Sequence, residues 1–181
     1  MKKILLYISC FITIIFLSGC AMDNAPTKKV ENFLNSYRTL DEKVINQMNS
    51  IISEDKLMND IQRQDYKDVL KKQYQDLSYT VKDEIVDGNN ATVTVEIEVY
   101  DFYKVTRLSD QYYQENIDKF ANEDGTLNNS IYIDYRINKL KENTDKVQYT
   151  IDFTLRKIDD IWVMDEIDDA TRQKIHGLYA Y

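Results

Sequence analysis

The chain has 181 residues, with 23 basic and 31 acidic side chains, one histidine, two cysteines, one proline and four glycines. No basic cluster stands out from this acid excess. That excludes the positive face that nucleic-acid binding requires.

The N-terminus reads as an export signal. Lys2 and Lys3 are followed by an almost wholly apolar run from Ile4 to Leu17. Such a run is shorter than the roughly 20 residues a spanning helix needs. Leu17-Ser18-Gly19-Cys20 resembles the lipobox of bacterial lipoproteins. The resemblance implies cleavage after residue 19 and transfer of diacylglycerol to the Cys20 thiol. The mature chain would be anchored on the outer face of the cell membrane, and two acyl chains are enough for stable anchoring. Cys10 would leave with the signal, so the expected domain has no internal disulfide, cysteine nucleophile or cysteine metal site. Removal of Lys2 and Lys3 leaves 21 basic against 31 acidic residues, a net charge of −10. Residues 21–25 are a short tether with a root-mean-square reach of about 12 Å. Residues 26–181 are expected to form one domain, long enough to bury a core.

Pro26 suits the first turn of a helix. Val30, Phe33, Leu34, Tyr37, Val44, Met48 and Ile51 recur at spacings of three, four and seven, predicting one helix over about 26–49. Ser53 is a plausible cap for a second helix running to about 75, with Leu57, Ile61, Val69 and Leu70 buried. At Leu77 the period changes to two. Leu77, Tyr79, Val81 and Ile85 alternate with polar residues, then Asp87-Gly88-Asn89-Asn90 turns the chain. Ala91, Val93, Val95, Ile97 and Val99 complete a hairpin. Residues 108–121 read as polar helix and 122–129 as loop. Residues 131–140 fit both an alternating strand and a helix, and Lys139-Leu140-Lys141-Glu142 favours helix. Val147 to Leu155 alternates again, Asp159-Asp160 turns, and Ile161 to Ile167 returns with Trp162. A last helix over about 168–176 ends at Gly177.

Helices, a hairpin, more helix and a second hairpin make an α+β domain: N-terminal helices packed on a curved four-stranded antiparallel sheet. The order of elements resembles the nuclear transport factor 2-like cone fold. So does the closing hairpin, Tyr149-Thr150-Ile151-Asp152-Phe153 with Lys157-Ile158-Asp159-Asp160-Ile161-Trp162. Small lipoproteins of low-GC Gram-positive bacteria carry such domains. The turn lacks the glycine expected there, and 108–142 adds extra helix.

The chemistry of the chain is sparse. No phosphate-cradling glycine loop, glycine-flanked serine or pair of histidines at ligand spacing occurs, and no cofactor or metal is expected. His176, in the last turn of its helix, is placed where a cation favours the helix dipole. Trp162 reads as a core anchor, and the tyrosines suit half-buried strands and helices. Asp83, Asp101 and Asp165 each continue the apolar register of a strand. An unbroken strand aims them inward, whereas a bulge returns them to solvent. The cone-fold resemblance offers Asp101, with Tyr103 or Tyr79, as analogues of an isomerase's aspartate base and phenolic donor. Asp83 is a further candidate. Two functions follow from these readings: a membrane-tethered binding or accessory module for a protein partner or small apolar ligand, and a small acid–base enzyme using an aspartate in the cone.

Overall fold

The computed structural model describes residues 24–181. Residues 1–19, the Leu17–Cys20 tetrapeptide and the lipidation site itself lie outside the described residues.

Pro26 opens α1 (Pro26–Thr39), which buries Val30, Leu34 and Tyr37. The single helix expected to 49 is broken. Leu40 takes a left-handed φ of 53°, and its N–H and that of Asp41 return to the carbonyls of Tyr37 and Ser36. Asp41 then caps α2 (Glu42–Glu54) by accepting from the Val44 N–H at 2.9 Å. The apolar spacing runs through the break because Val44, Met48 and Ile52 face the same core. Leucine is also a poor predictor of a left-handed stop.

Ser53 is not a cap but part of α2. The third helix, α3 (Asp60–Gln75), is capped by Asn59, with Gln62 returning to the Asn59 N–H to close a capping box. Two residues expected in the core are exposed, Leu57 at 64% in the turn before α3 and Ile61 at 76% in its first turn, and Met58 is buried instead. Val69, Leu70 and Tyr74 are buried as their spacing requires.

Four strands form one open antiparallel sheet in the order β1-β2-β3-β4: β1 (Ser78–Asp87), β2 (Asn90–Tyr100), β3 (Lys146–Ile158) and β4 (Ile161–Met164). Val93 pairs with Phe153 and Val95 with Ile151, so one face of the central pair is apolar up to Tyr149. Val95, Ile97, Ile151 and Phe153 are buried, and the Phe33 ring of α1 meets Phe153 edge-on at 5.8 Å. Trp162 is a core residue of β4. The closing turn dispenses with glycine by placing Asp159 and Asp160 at φ of 49° and 62°. Aspartate tolerates that region better than most residues.

Between the hairpins stand α4 (Phe102–Glu115), a single 3-10 turn (Ile117–Phe120) and α5 (Asn129–Glu142). Helix α4 begins six residues before the expected 108, directly after β2, and residues 131–140 are helical. Tyr112, Tyr113, Phe120, Tyr132 and Tyr135 pack ring on ring between these elements. Helix α6 (Asp169–His176) is capped by Asp168 and ends at Gly177 with φ of 69°. A Cβ at Gly177 would lie 2.1 Å from the Tyr100 carbonyl, so glycine is required there twice over.

The start of the domain is braced at the far end of the sheet. The Asn24 amide donates to the Asp160 carbonyl at 2.6 Å and accepts from the Trp162 N–H at 3.1 Å. Among the described residues no helix is long and apolar enough to cross a membrane.

Candidate functional site

The aspartates singled out by strand register are not brought together. A register shift between Val81 and Asp83 turns Asp83 to solvent, where it accepts from the Glu84 N–H. Asp165 lies just beyond β4 and is paired. The Arg156 guanidinium at 2.7 Å and the Thr154 hydroxyl at 2.8 Å hold its carboxyl below the usual range.

Asp101 is buried, at 4% exposure, but neither as an inward strand residue nor through a bulge. The strand stops at Tyr100, and Asp101 caps α4. One oxygen accepts from the Lys104 N–H at 2.9 Å and the other from the Tyr181 hydroxyl at 2.5 Å. Tyr103 packs edge-on to Tyr181, its N–H donates to the Gly177 carbonyl, and Tyr79 donates to Asn35. No hydrogen bond joins Asp101 to Tyr79 or Tyr103 among the described residues. Tyr149 closes the group from β3 by donating to the Tyr179 carbonyl, and burial, with the Asp101 charge, pushes its phenol up to about 12. The arrangement is a polar clasp that ties residues 177–181 to the start of α4. The signal for it was an aspartate just before an amphipathic run.

A larger cleft lies elsewhere among the described residues. It holds about 690 Å³ and runs between α1 and α2 on one side and the segment from β4 into α6 on the other. Such a volume suits a small molecule. Phe33 and Tyr37 of α1, Val44 and Ile51 of α2, Met164 at the end of β4 and Ile167 after it supply apolar walls. Helix α2 can form a wall because it packs on α3 and leaves Ile51 half exposed.

Three polar side chains form the inner part. Tyr74 is 1% exposed, stacks edge-on with Tyr37 at 5.2 Å, and shares a 2.8 Å hydrogen bond with Nδ1 of His176. Burial raises both phenols above their ordinary value. Burial, aided by the Arg172 charge, pushes the His176 imidazole down to about 4. His176 is therefore neutral at physiological pH and is not the dipole-facing cation its helix position implied. Arg172, one turn earlier on α6, acts on His176 and Tyr37 together. It also reaches Glu166 at 3.1 Å and Asp169 at 2.5 Å. Sequence reasoning missed the site because its parts come from four helices and a loop. The one visible signal was a lone histidine one residue before the C-terminal glycine.

Among the described residues no group of three or more histidine, cysteine or acidic side chains stands where it could hold a metal ion. No protein-family model matches the chain. No curated protein matches it. Among solved structures it is similar to a candidate lipoprotein (ycdA) from Bacillus subtilis, at 11% identity and a TM-score of 0.43. The likeness covers 96% of this chain and 55% of that one, so this chain spans about half the length of the structure it matches.

Proposed function

We propose that the chain is an extracytoplasmic lipoprotein, held to the membrane through a diacylated Cys20, whose domain binds a small ligand in the cleft between α1, α2 and α6. The cleft carries this reading. It combines apolar walls with a few inward polar groups, as ligand sites do. The export signal and Leu17-Ser18-Gly19-Cys20 support the anchor. The order of helices and hairpins supports kinship with the cone fold. Asp101 does not line the cleft, and both its oxygens are engaged in the clasp.

Two measurements test the proposal. Protein made in a bacterium with the lipoprotein pathway should partition into detergent and begin at a diacylated cysteine by intact mass. Cys20→Ser should block processing, and an unmodified Cys20 or a retained signal would refute the anchor. For binding, octan-1-ol titrated into the domain should shift the methyl resonances of Ile51 and Ile167. The methyls of Ile85 and Ile158, which are exposed elsewhere on the sheet, should stay still. Uniform or absent shifts would refute the cleft as a binding site.

A further inference from the structure

The polar groups lining the cleft divide by whether they already have partners. Its carboxylates are engaged: Asp165 by Arg156 and Thr154, and Glu166 by Arg172. Of its free side-chain groups, those of Lys43, Tyr37 and His176 can donate, and those of Gln47 and Ser50 can donate or accept. Neither the Lys43 ammonium, nor the Tyr37 hydroxyl, nor Nε2 of His176 has a partner among the described residues.

The protonation of His176 follows from its neighbour. The Tyr74 phenol is buried and keeps its proton, since burial raises it well above the ordinary range. A buried O–H must find an acceptor, and among the described residues the one it reaches is Nδ1 of His176. Nδ1 therefore accepts, and the neutral ring carries its hydrogen on Nε2. Tyr74 thus fixes His176 as a donor. Arg172 adds positive charge beside both Tyr37 and His176, and its partners Glu166 and Asp169 are exposed at 89% and 87%. Exposed pairs of that kind are weak and readily exchanged.

We infer that the cleft takes a ligand with a carboxylate head and an apolar body, the carboxylate accepting from the His176 Nε2–H and the Tyr37 hydroxyl beside the Arg172 guanidinium. The inference rests on the binding reading above and names its ligand class. It runs against the field of the whole molecule, whose net acidity favours cations. Selection for an anion would therefore come from the cleft.

The experiment compares octanoate, octan-1-ol and octylammonium by NMR titration of the full domain. Octanoate should bind about tenfold more tightly than octan-1-ol, as a charge-assisted hydrogen bond provides, and octylammonium more weakly than either. Octanoate should also move the single histidine's Nε2–H resonance. Arg172→Gln should lower octanoate affinity about tenfold, while Lys67→Gln, a cation outside the cleft, should leave the preference intact. In the free protein a long-range proton–nitrogen spectrum should show Nδ1 unprotonated and Nε2 protonated. Equal affinity for all three probes, or hydrogen on Nδ1, would overturn the carboxylate assignment and leave the binding module standing. Failure of every probe to bind would overturn both.

Discussion

Acid should weaken this protein through one side chain. The only histidine of the chain is packed between Tyr74, at 2.8 Å from its Nδ1, and the Arg172 charge. Burial, with that charge, lowers its imidazole from 6.5 to about 4. Above pH 6.5 the ring is neutral in both folded and unfolded chains, and it adds no pH dependence. As the pH falls below 6.5 the unfolded chain takes up a proton that the folded one refuses, so stability declines. The loss is complete near pH 4, where the folded ring protonates too, and it amounts to about 3 kcal/mol. Most carboxylates titrate at the lower edge of this window, which leaves its upper part to His176. Urea unfolding at intervals from pH 7.5 to 4.5 should show the decline in the wild type and a flatter profile in His176→Asn. An NMR titration of the single imidazole reads the same quantity directly. A midpoint above about 6, or parallel profiles for the two proteins, would refute the reasoning.

Phe153→Ala should cost about 3–5 kcal/mol in denaturant titration, because Phe153 is 2% exposed under Phe33; a loss under about 1 kcal/mol would put the core on the wrong face. Asp101→Asn should destabilise by about 1–2 kcal/mol, since an amide cannot accept from both the Lys104 N–H and the Tyr181 hydroxyl. A neutral result would dissolve the clasp. Asp160→Gly should raise stability by about 0.5–1 kcal/mol by relieving a side chain held at φ of 62°. A loss in thermal melts would show that its side chain matters more than its backbone.

The central strands and the last helix were legible because their signals are unmixed. Val93, Val95 and Ile97 face the core at every second position, and Asp168 and Gly177 bracket α6 as caps should. The break at Leu40 was hidden because both helices bury the same stripe and the stop uses a leucine. Ile61 misled because it fits a helical spacing on a turn that leaves it in water. Asp101 continued the strand's alternation one residue past the strand, where the same side chain caps the next helix. The cleft was the least legible part. Tyr37, Tyr74 and His176 meet only after three helices have packed, and nothing in their local sequence announces the contact.

Asn24 has a consequence for geography. Its two hydrogen bonds to the β3–β4 hairpin dock residue 24, read from sequence as part of a five-residue tether, onto the domain. With lipid on Cys20, as proposed, Tyr37 lies no more than about 40 Å from the anchored residue, counting extended chain to Pro26 and helix thereafter. The cleft would then sample a thin layer of solution above the headgroups rather than the depth of the envelope. Molecules arriving there would be those released from the bilayer or concentrated at its surface, and the protein would meet them in two dimensions.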